Sequence, residues 1–157
     1  MYRVFLSYNT TRDEMVVVWR LQTLAAASGL HLEVLNSEQR SDWATVAQKI
    51  DEADSVIAFL TKQASKQVEL ELRYALSRGK PVIPIVERGV STKLINVLLQ
   101  QSGIPVFVLD PDKPGTMESN LAEYLRTKKL DKEKRNAILA LAGTIAGLFL
   151  LQELTQN

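Results

Sequence analysis

Residues 55–86 read S-V-I-A-F-L-T-K-Q-A-S-K-Q-V-E-L-E-L-R-Y-A-L-S-R-G-K-P-V-I-P-I-V. Two short runs rich in apolar and β-branched residues, Ser55–Leu60 and Pro81–Val86, flank a stretch with helical periodicity from about Lys66 to Arg78. Gly79 follows where a helix commonly ends in a left-handed conformation. A strand, a helix and a second strand in this order predict one unit of a parallel α/β sheet.

The rest of the chain repeats this alternation. Three more strands are predicted, which makes five in all: Tyr2–Ser7, Leu30–Leu35 and Ile104–Leu109. Thr11 and Glu14 have capping-box spacing, which predicts a helix after the first strand. Further helices are predicted after the other strands, up to about residue 126, and the second has an apolar stripe at Trp43, Val46, Ala47 and Ile50. We therefore expect one α/β domain over residues 1–126. Because Pro81 and Pro84 lack a backbone donor, the fourth strand should lie at or near an edge.

The residues after 126 differ in composition from the predicted domain. A basic linker is predicted at 127–136, followed by an apolar helix at 137–154. Between 137 and 151 only Thr144 has a polar side chain, and Gly143 and Gly147 have the spacing that lets two helices approach closely. The segment is marginal in length for a membrane span. A tail anchor at the inner membrane and a helix packed on this domain or on a partner both remain open.

Composition excludes several classes of function. The chain has 157 residues, of which 19 are basic and 18 acidic, and its formal net charge of +1 is too small to attract nucleic acid. It has no cysteine and one histidine, so neither a metal site nor a disulfide is expected. No signal-peptide pattern precedes the first strand, which favours the cytoplasm.

Ligands of open α/β sheets bind at the carboxyl ends of the strands. The loops there contain no glycine-rich phosphate motif, and His31 lies inside a strand run, where a structural role is expected. Glu71 is the better candidate for chemistry, since it adjoins the apolar stripe of the helix after the third strand. Glu69 should instead face solvent and pair with Arg73.

Two segments resemble a known family. V-F-L-S-Y-N-T-T-R-D at 4–13 is similar to the first strand and loop of Toll/interleukin-1 receptor (TIR) domains, and 68–85 is similar to their third helix and fourth strand. The resemblance, of bacterial type, implies a flavodoxin-like fold over roughly residues 1–126. In members that cleave NAD⁺, the catalytic glutamate corresponds to Glu71.

The resemblance implies an NAD⁺ glycohydrolase or ADP-ribosyl cyclase in bacterial antiviral signalling, activated by self-association, with NAD⁺ as substrate and no cofactor. Glu71 would stabilise the ribosyl cation. Substrate contacts are expected from Ser7, Tyr8, which could stack on a ring of the substrate, and Arg12, which could contact the pyrophosphate. Trp43 is expected in the core.

The pattern also departs from the family. Many catalytic members have tryptophan four residues before the glutamate, where this chain has Gln67. The loop after the second strand is short and polar, with Arg40 its only basic residue. A non-catalytic TIR scaffold that signals by oligomerisation therefore remains an alternative. A second is an enzyme like the nucleoside deoxyribosyltransferases, which place a glutamate in a similar context.

Overall fold

A computed structural model of the chain describes residues 2–9, 19, 22–23, 25–27, 29–61, 64–110, 112–113, 115–128 and 130–155. Five strands form a sheet: β1 Tyr2–Asn9, β2 Leu30–Glu33, β3 Ser55–Leu60, β4 Val82–Glu87 and β5 Phe107–Leu109. The helices are α1 Ser37–Arg40, α2 Trp43–Glu52, α3 Lys66–Ser77, α4 Lys93–Gln101, α5 Thr116–Arg126 and α6 Lys132–Thr155. Residues 19, 22–23 and 25–27 are also helical. The predicted capping box at Thr11 and Glu14 lies outside the described residues.

The sheet is entirely parallel, with the strand order β2-β1-β3-β4-β5. This order confirms the predicted flavodoxin-like α/β class. Strand β4 is one place from the edge, as its two prolines suggested. The last strand begins at Phe107 rather than at Ile104, because the Ile104 amide instead bonds the Leu99 carbonyl at the end of α4, at 2.9 Å.

Side chains alternate along β1 and build the core on both faces of the sheet. Val4, Leu6 and Tyr8 join the layer beneath α5 and α6, whereas Phe5 joins the layer beneath α2, α3 and α4. The predicted stripe of α2 is only partly correct. Val46 and Ile50 are buried, but Trp43 is 40% exposed and packs edge-on against Tyr74, with ring centroids 5.6 Å apart.

Helix α6 begins at Lys132, inside the predicted linker. Its first half packs on the domain, since Ile138, Leu141 and Ala142 are buried in the same layer as Leu121 and Leu125 of α5. Within the described part of the chain, no helix has both the length and the hydropathy that crossing a bilayer requires. The membrane anchor predicted at 137–154 therefore finds no support here.

Helices α2 and α3 are joined at their C-terminal ends. Gly79 has a φ of +70°, and the amides of Gly79 and Lys80 close the end of α3 by bonding the Leu76 and Ala75 carbonyls. The Lys80 Nζ donates to the carbonyls of Asp51 and Ala53 at 2.9 and 2.8 Å. Gly79 and Lys80 therefore have a structural role at this junction.

Asp51 should make the stability of this junction depend on pH. The Tyr74 hydroxyl and the Arg78 guanidinium donate to its carboxylate at 2.8 Å each, and the bond from Tyr74, before that from Arg78, lowers the pKa of Asp51. Because the pKa of Asp51 is lower in the folded chain than in the unfolded chain, where it is about 4, the ionised carboxylate stabilises the folded state above about pH 4. This stabilisation is lost as the pH falls through the pKa of Asp51 in the folded chain.

We expect Asp51→Asn to lower the urea midpoint at pH 7 and the difference from wild type to shrink steadily as the pH is lowered below 4. A difference that stays constant with pH would show that the ionised carboxylate is not the cause.

Candidate functional site

Glu71 lies in the second turn of α3, beneath the carboxyl ends of the strands. The side chain of Ser65 caps the helix by accepting from the Val68 amide at 3.2 Å. The apolar stripe predicted for this helix was Val68, Leu72, Ala75, Leu76 and Gly79. Its first three residues are fully buried, whereas Leu76 is half-buried and Gly79 is exposed. Glu71 is buried with the first three at 0% exposure. Sequence reasoning placed this residue at the border of the stripe, and the structure places it inside. Among the described residues, Glu71 and Tyr8 are the two ionisable residues that are buried.

Ser7 reaches Glu71 from strand β1, next to the central strand β3. It follows Phe5 by two residues on β1, so it faces the same side as α3. Its Oγ donates to the Glu71 Oε1 at 2.7 Å, and its side chain has 0% exposure. Ser7 therefore fixes one carboxylate oxygen from a buried position on β1.

Arg40 binds the carboxylate in a two-point ion pair from the end of α1. Its Nη2 donates to Oε1 at 2.8 Å and its Nε donates to Oε2 at 3.0 Å. The third guanidinium nitrogen, Nη1, donates to the Tyr8 carbonyl at 2.9 Å. The Arg40 side chain is only 12% exposed, so this pair is largely removed from water. Charge-assisted, two-point bonds of this kind are among the strong ones in proteins.

Gln67 supplies the remaining donor. Its Nε2 donates to the Glu71 Oε2 at 2.8 Å and to the Arg40 carbonyl at 3.2 Å. Each carboxylate oxygen thus accepts two hydrogen bonds, which uses the roughly four acceptor positions that a carboxylate has. In this state Glu71 is saturated by protein donors.

Tyr8 lies on the other side of Arg40. Its ring is 4.4 Å from the guanidinium carbon, its hydroxyl donates to the Leu35 carbonyl, and the residue is 6% exposed. Burial raises the pKa of Tyr8, while the charge of Arg40 opposes that rise. The ring face expected to stack on the substrate is therefore covered by Arg40.

The structure thus brings together three of the candidate residues, Glu71, Ser7 and Tyr8, while Arg12 lies outside the described residues. Sequence reasoning did not assign Arg40 and Gln67 to the site. Gln67 could have been found, since four residues before Glu71 is the same helical face. Arg40 has no such local signal, because it lies 31 positions from Glu71 and is one of 19 basic residues in the chain.

Other features do not compete with this site. A cavity of about 650 Å³ is lined by Tyr2, the first residue of β1, and a cavity of about 370 Å³ is lined by Val82, the first residue of β4. Both therefore lie at the amino ends of the strands, away from Glu71. The described residues contain no group of three or more acidic or histidine side chains that could hold a metal ion. His31 lies on edge strand β2, with its Nε2 2.7 Å from the Glu33 carboxylate. Glu69 pairs with Arg73 at 3.0 Å on the outer face of α3, as predicted.

Comparison with known proteins gives the family and the fold. The family model described as "TIR domain" matches residues 4–102, more than half of the chain, and the matched segment includes Ser7, Arg40, Gln67 and Glu71. A search of curated proteins finds no match.

A search of solved structures matches the three chains that follow. Clostridium botulinum CMP N-glycosidase, BcmB, is 20% identical with a TM-score of 0.52, and the match covers 80% of this chain and 99% of that one. CapF, crystallised with an inhibitor, is 10% identical with a TM-score of 0.50, covering 83% and 39%. The TIR domains of the activated Roq1 resistosome are 16% identical with a TM-score of 0.47, covering 94% and 84%.

Proposed function

The chain belongs to the TIR domain family, and from this membership we propose that it cleaves the N-glycosidic bond of NAD⁺ with the carboxylate of Glu71. The observation that carries the proposal is the fully buried Glu71 carboxylate at the carboxyl ends of the strands, held by Ser7, Arg40 and Gln67. Burying a charge is costly, so a buried carboxylate with dedicated donors indicates a role beyond solubility.

The chemistry suits one carboxylate without a metal. As the bond between C1′ and the nicotinamide nitrogen breaks, its electron pair goes to the ring nitrogen and removes the positive charge there. Positive charge then develops on C1′ and the ribose ring oxygen. A carboxylate beside the ribose stabilises this cation electrostatically and by accepting from the ribose hydroxyls. Attack by water on C1′, with loss of a proton, gives ADP-ribose, and attack by an adenine nitrogen gives a cyclic product.

We further propose that turnover depends on self-association, as part of cytoplasmic immune signalling in bacteria. Gly143 and Gly147 lie in α6, beyond its buried residues Ile138 and Leu141. A side-chain carbon added at either glycine would meet nothing within 4 Å, so the described chain leaves room there for a second copy. The rate per mole of protein should accordingly rise with protein concentration.

Two alternatives keep specific support. Gln67 occupies the position of a tryptophan common in catalytic members, which favours a scaffold that signals by oligomerisation without turnover. The likeness to a CMP N-glycosidase is one of fold alone, but the same carboxylate chemistry would cleave a nucleoside or nucleotide instead of NAD⁺. A scaffold would consume no substrate, whereas the second alternative would consume a nucleoside or nucleotide instead of NAD⁺.

A substrate panel tests the proposal. The chain at high concentration, with its oligomeric state measured by light scattering, is incubated separately with NAD⁺, CMP and deoxynucleosides, and the released bases are separated by chromatography. We expect nicotinamide from NAD⁺ and no base from the others. Release of cytosine from CMP alone would show that the chain is a nucleotide glycosidase and does not cleave NAD⁺. No product from any substrate, with oligomers present, would leave the scaffold as the function.

A further inference from the structure

Arg40 stands where the substrate's cation would have to be. The proposed reaction, on which this inference rests, requires Glu71 to face a developing positive charge and to accept from ribose hydroxyls. In the structure, a guanidinium already faces Glu71, and all four acceptor positions are filled. A carboxylate neutralised in this way has neither charge nor acceptors to offer. Catalysis therefore requires one of the three donor residues to leave.

The three donors differ in how firmly they are held. Ser7 is a fully buried residue of β1, and its backbone pairs with Ala58 of β3. Gln67 lies on α3 itself, one turn before Glu71. Arg40 ends α1, a four-residue helix that contains no buried residue. An element with so little buried apolar surface opens at low free-energy cost, so Arg40 is the donor that can leave.

The contacts of α1 show what holds it closed. At its N-terminal end, the Asn36 side chain accepts from the Gln39 backbone amide at 2.8 Å, and the Gln39 side chain accepts from the Asn36 backbone amide at 3.0 Å. Its C-terminal end is joined to the site by the Arg40 side chain and by the bond from Gln67 to the Arg40 carbonyl. The ion pair to Glu71 is thus the main tie between this helix and the catalytic carboxylate.

We propose that the Arg40–Glu71 ion pair is an autoinhibitory latch: it keeps the chain in a closed resting state, and the site opens when α1 carries Arg40 away from Glu71. Opening frees the Glu71 carboxylate, to which Ser7 donates, and uncovers the Tyr8 ring face, since Arg40 bonds both carboxylate oxygens and lies 4.4 Å from the centre of the ring. Arg40 is a regulatory residue in this account, and the reaction itself proceeds without it in contact with Glu71.

Thiol accessibility tests the latch without any turnover. The chain has no cysteine, so Ser7→Cys introduces a single thiol beside Glu71. Its alkylation by iodoacetamide reports opening of the site. Ser55→Cys is the matched control, because Ser55 is equally buried, at 0%, but begins β3 at the other end of the sheet. Rates are measured from pH 7 to 9.5, so that thiol ionisation is fitted separately from opening.

Adding Arg40→Gln to the Ser7→Cys chain should raise the alkylation rate about 10- to 100-fold, the factor that corresponds to loss of charge-assisted hydrogen bonds. The same change in the Ser55→Cys chain should leave the rate unchanged. An equal rise in both chains would show general loosening, and no rise in either would show that Arg40 does not close the site; each result overturns the proposal.

Hydrogen exchange provides a second measurement on a chain that keeps Ser7. The amides of Arg40 and Ser41 bond the carbonyls of Asn36 and Ser37 in the closed state. We expect these amides to exchange at least tenfold faster in Arg40→Gln than in wild type, with β3 amides unchanged. Unprotected amides in the wild type would mean that no closed state exists in solution. Failure of the latch in these tests says nothing about NAD⁺ cleavage, which is measured separately.

Discussion

Replacing Arg40 by methionine is expected to lower the free energy of unfolding by about 2–3 kcal/mol, whereas replacing both members of the pair, with Glu71→Leu, should restore it to within about 1 kcal/mol of wild type. The single change leaves the Glu71 carboxylate buried with only Ser7 and Gln67 as donors. The double change removes the buried charge altogether and fills the space with apolar groups. Stability alone therefore does not require the pair.

Urea unfolding of the four members of the cycle measures this coupling. The matched control is the exposed pair on the same helix, Glu69→Gln with Arg73→Met, for which effects of about 0.5 kcal/mol or less are expected. If the two single changes at Arg40 and Glu71 simply add in the double variant, the pair is not the coupled, desolvated unit that the structure shows.

Changing Glu71 to glutamine is expected to lower the kcat for NAD⁺ cleavage by about a thousandfold, comparable to the loss of one strong electrostatic contact in other active sites. The amide has nearly the shape of the carboxylate but no charge, so it cannot stabilise a ribosyl cation. Because the lost interaction is made mainly in the transition state, kcat and kcat/KM should fall together.

The control for this variant is Glu69→Gln, the same substitution two residues earlier on the outer face of α3. Its activity should match wild type, because the Glu69 carboxylate pairs with Arg73 on the outer face of α3. Circular dichroism and sizing establish that both variants are folded and assembled. Loss of activity in both would mean that helix α3 as a whole, and not the buried carboxylate, had been disturbed.

Local sequence patterns predicted the sheet well. Apolar runs predicted five parallel strands, and only their ends shifted, as at Ile104, whose amide closes helix α4 instead of pairing in β5. Gly79 was predicted to end its helix, and its positive φ agrees. These features are determined by neighbours in sequence, which is why the patterns are informative.

Features set by distant contacts were predicted less well. Arg40 and Glu71 are 31 positions apart, and nothing local to either residue indicates that they pair. Trp43 has helical spacing with Val46 and Ile50 yet remains 40% exposed, because it lies at the start of α2 against Tyr74. The apolar C-terminal run has the same pattern whether it meets lipid or protein, and the structure packs its first half on α5.

The function that we propose for this chain is cleavage of the N-glycosidic bond of NAD⁺ by the carboxylate of Glu71. The most direct test compares nicotinamide release by wild type and by Glu71→Gln in one chromatographic assay, at equal and high concentrations where oligomers are present. We predict nicotinamide together with ADP-ribose or a cyclic product from the wild type, and nothing above background from the variant. Equal release by both proteins, or none from the assembled wild type, would contradict the claim.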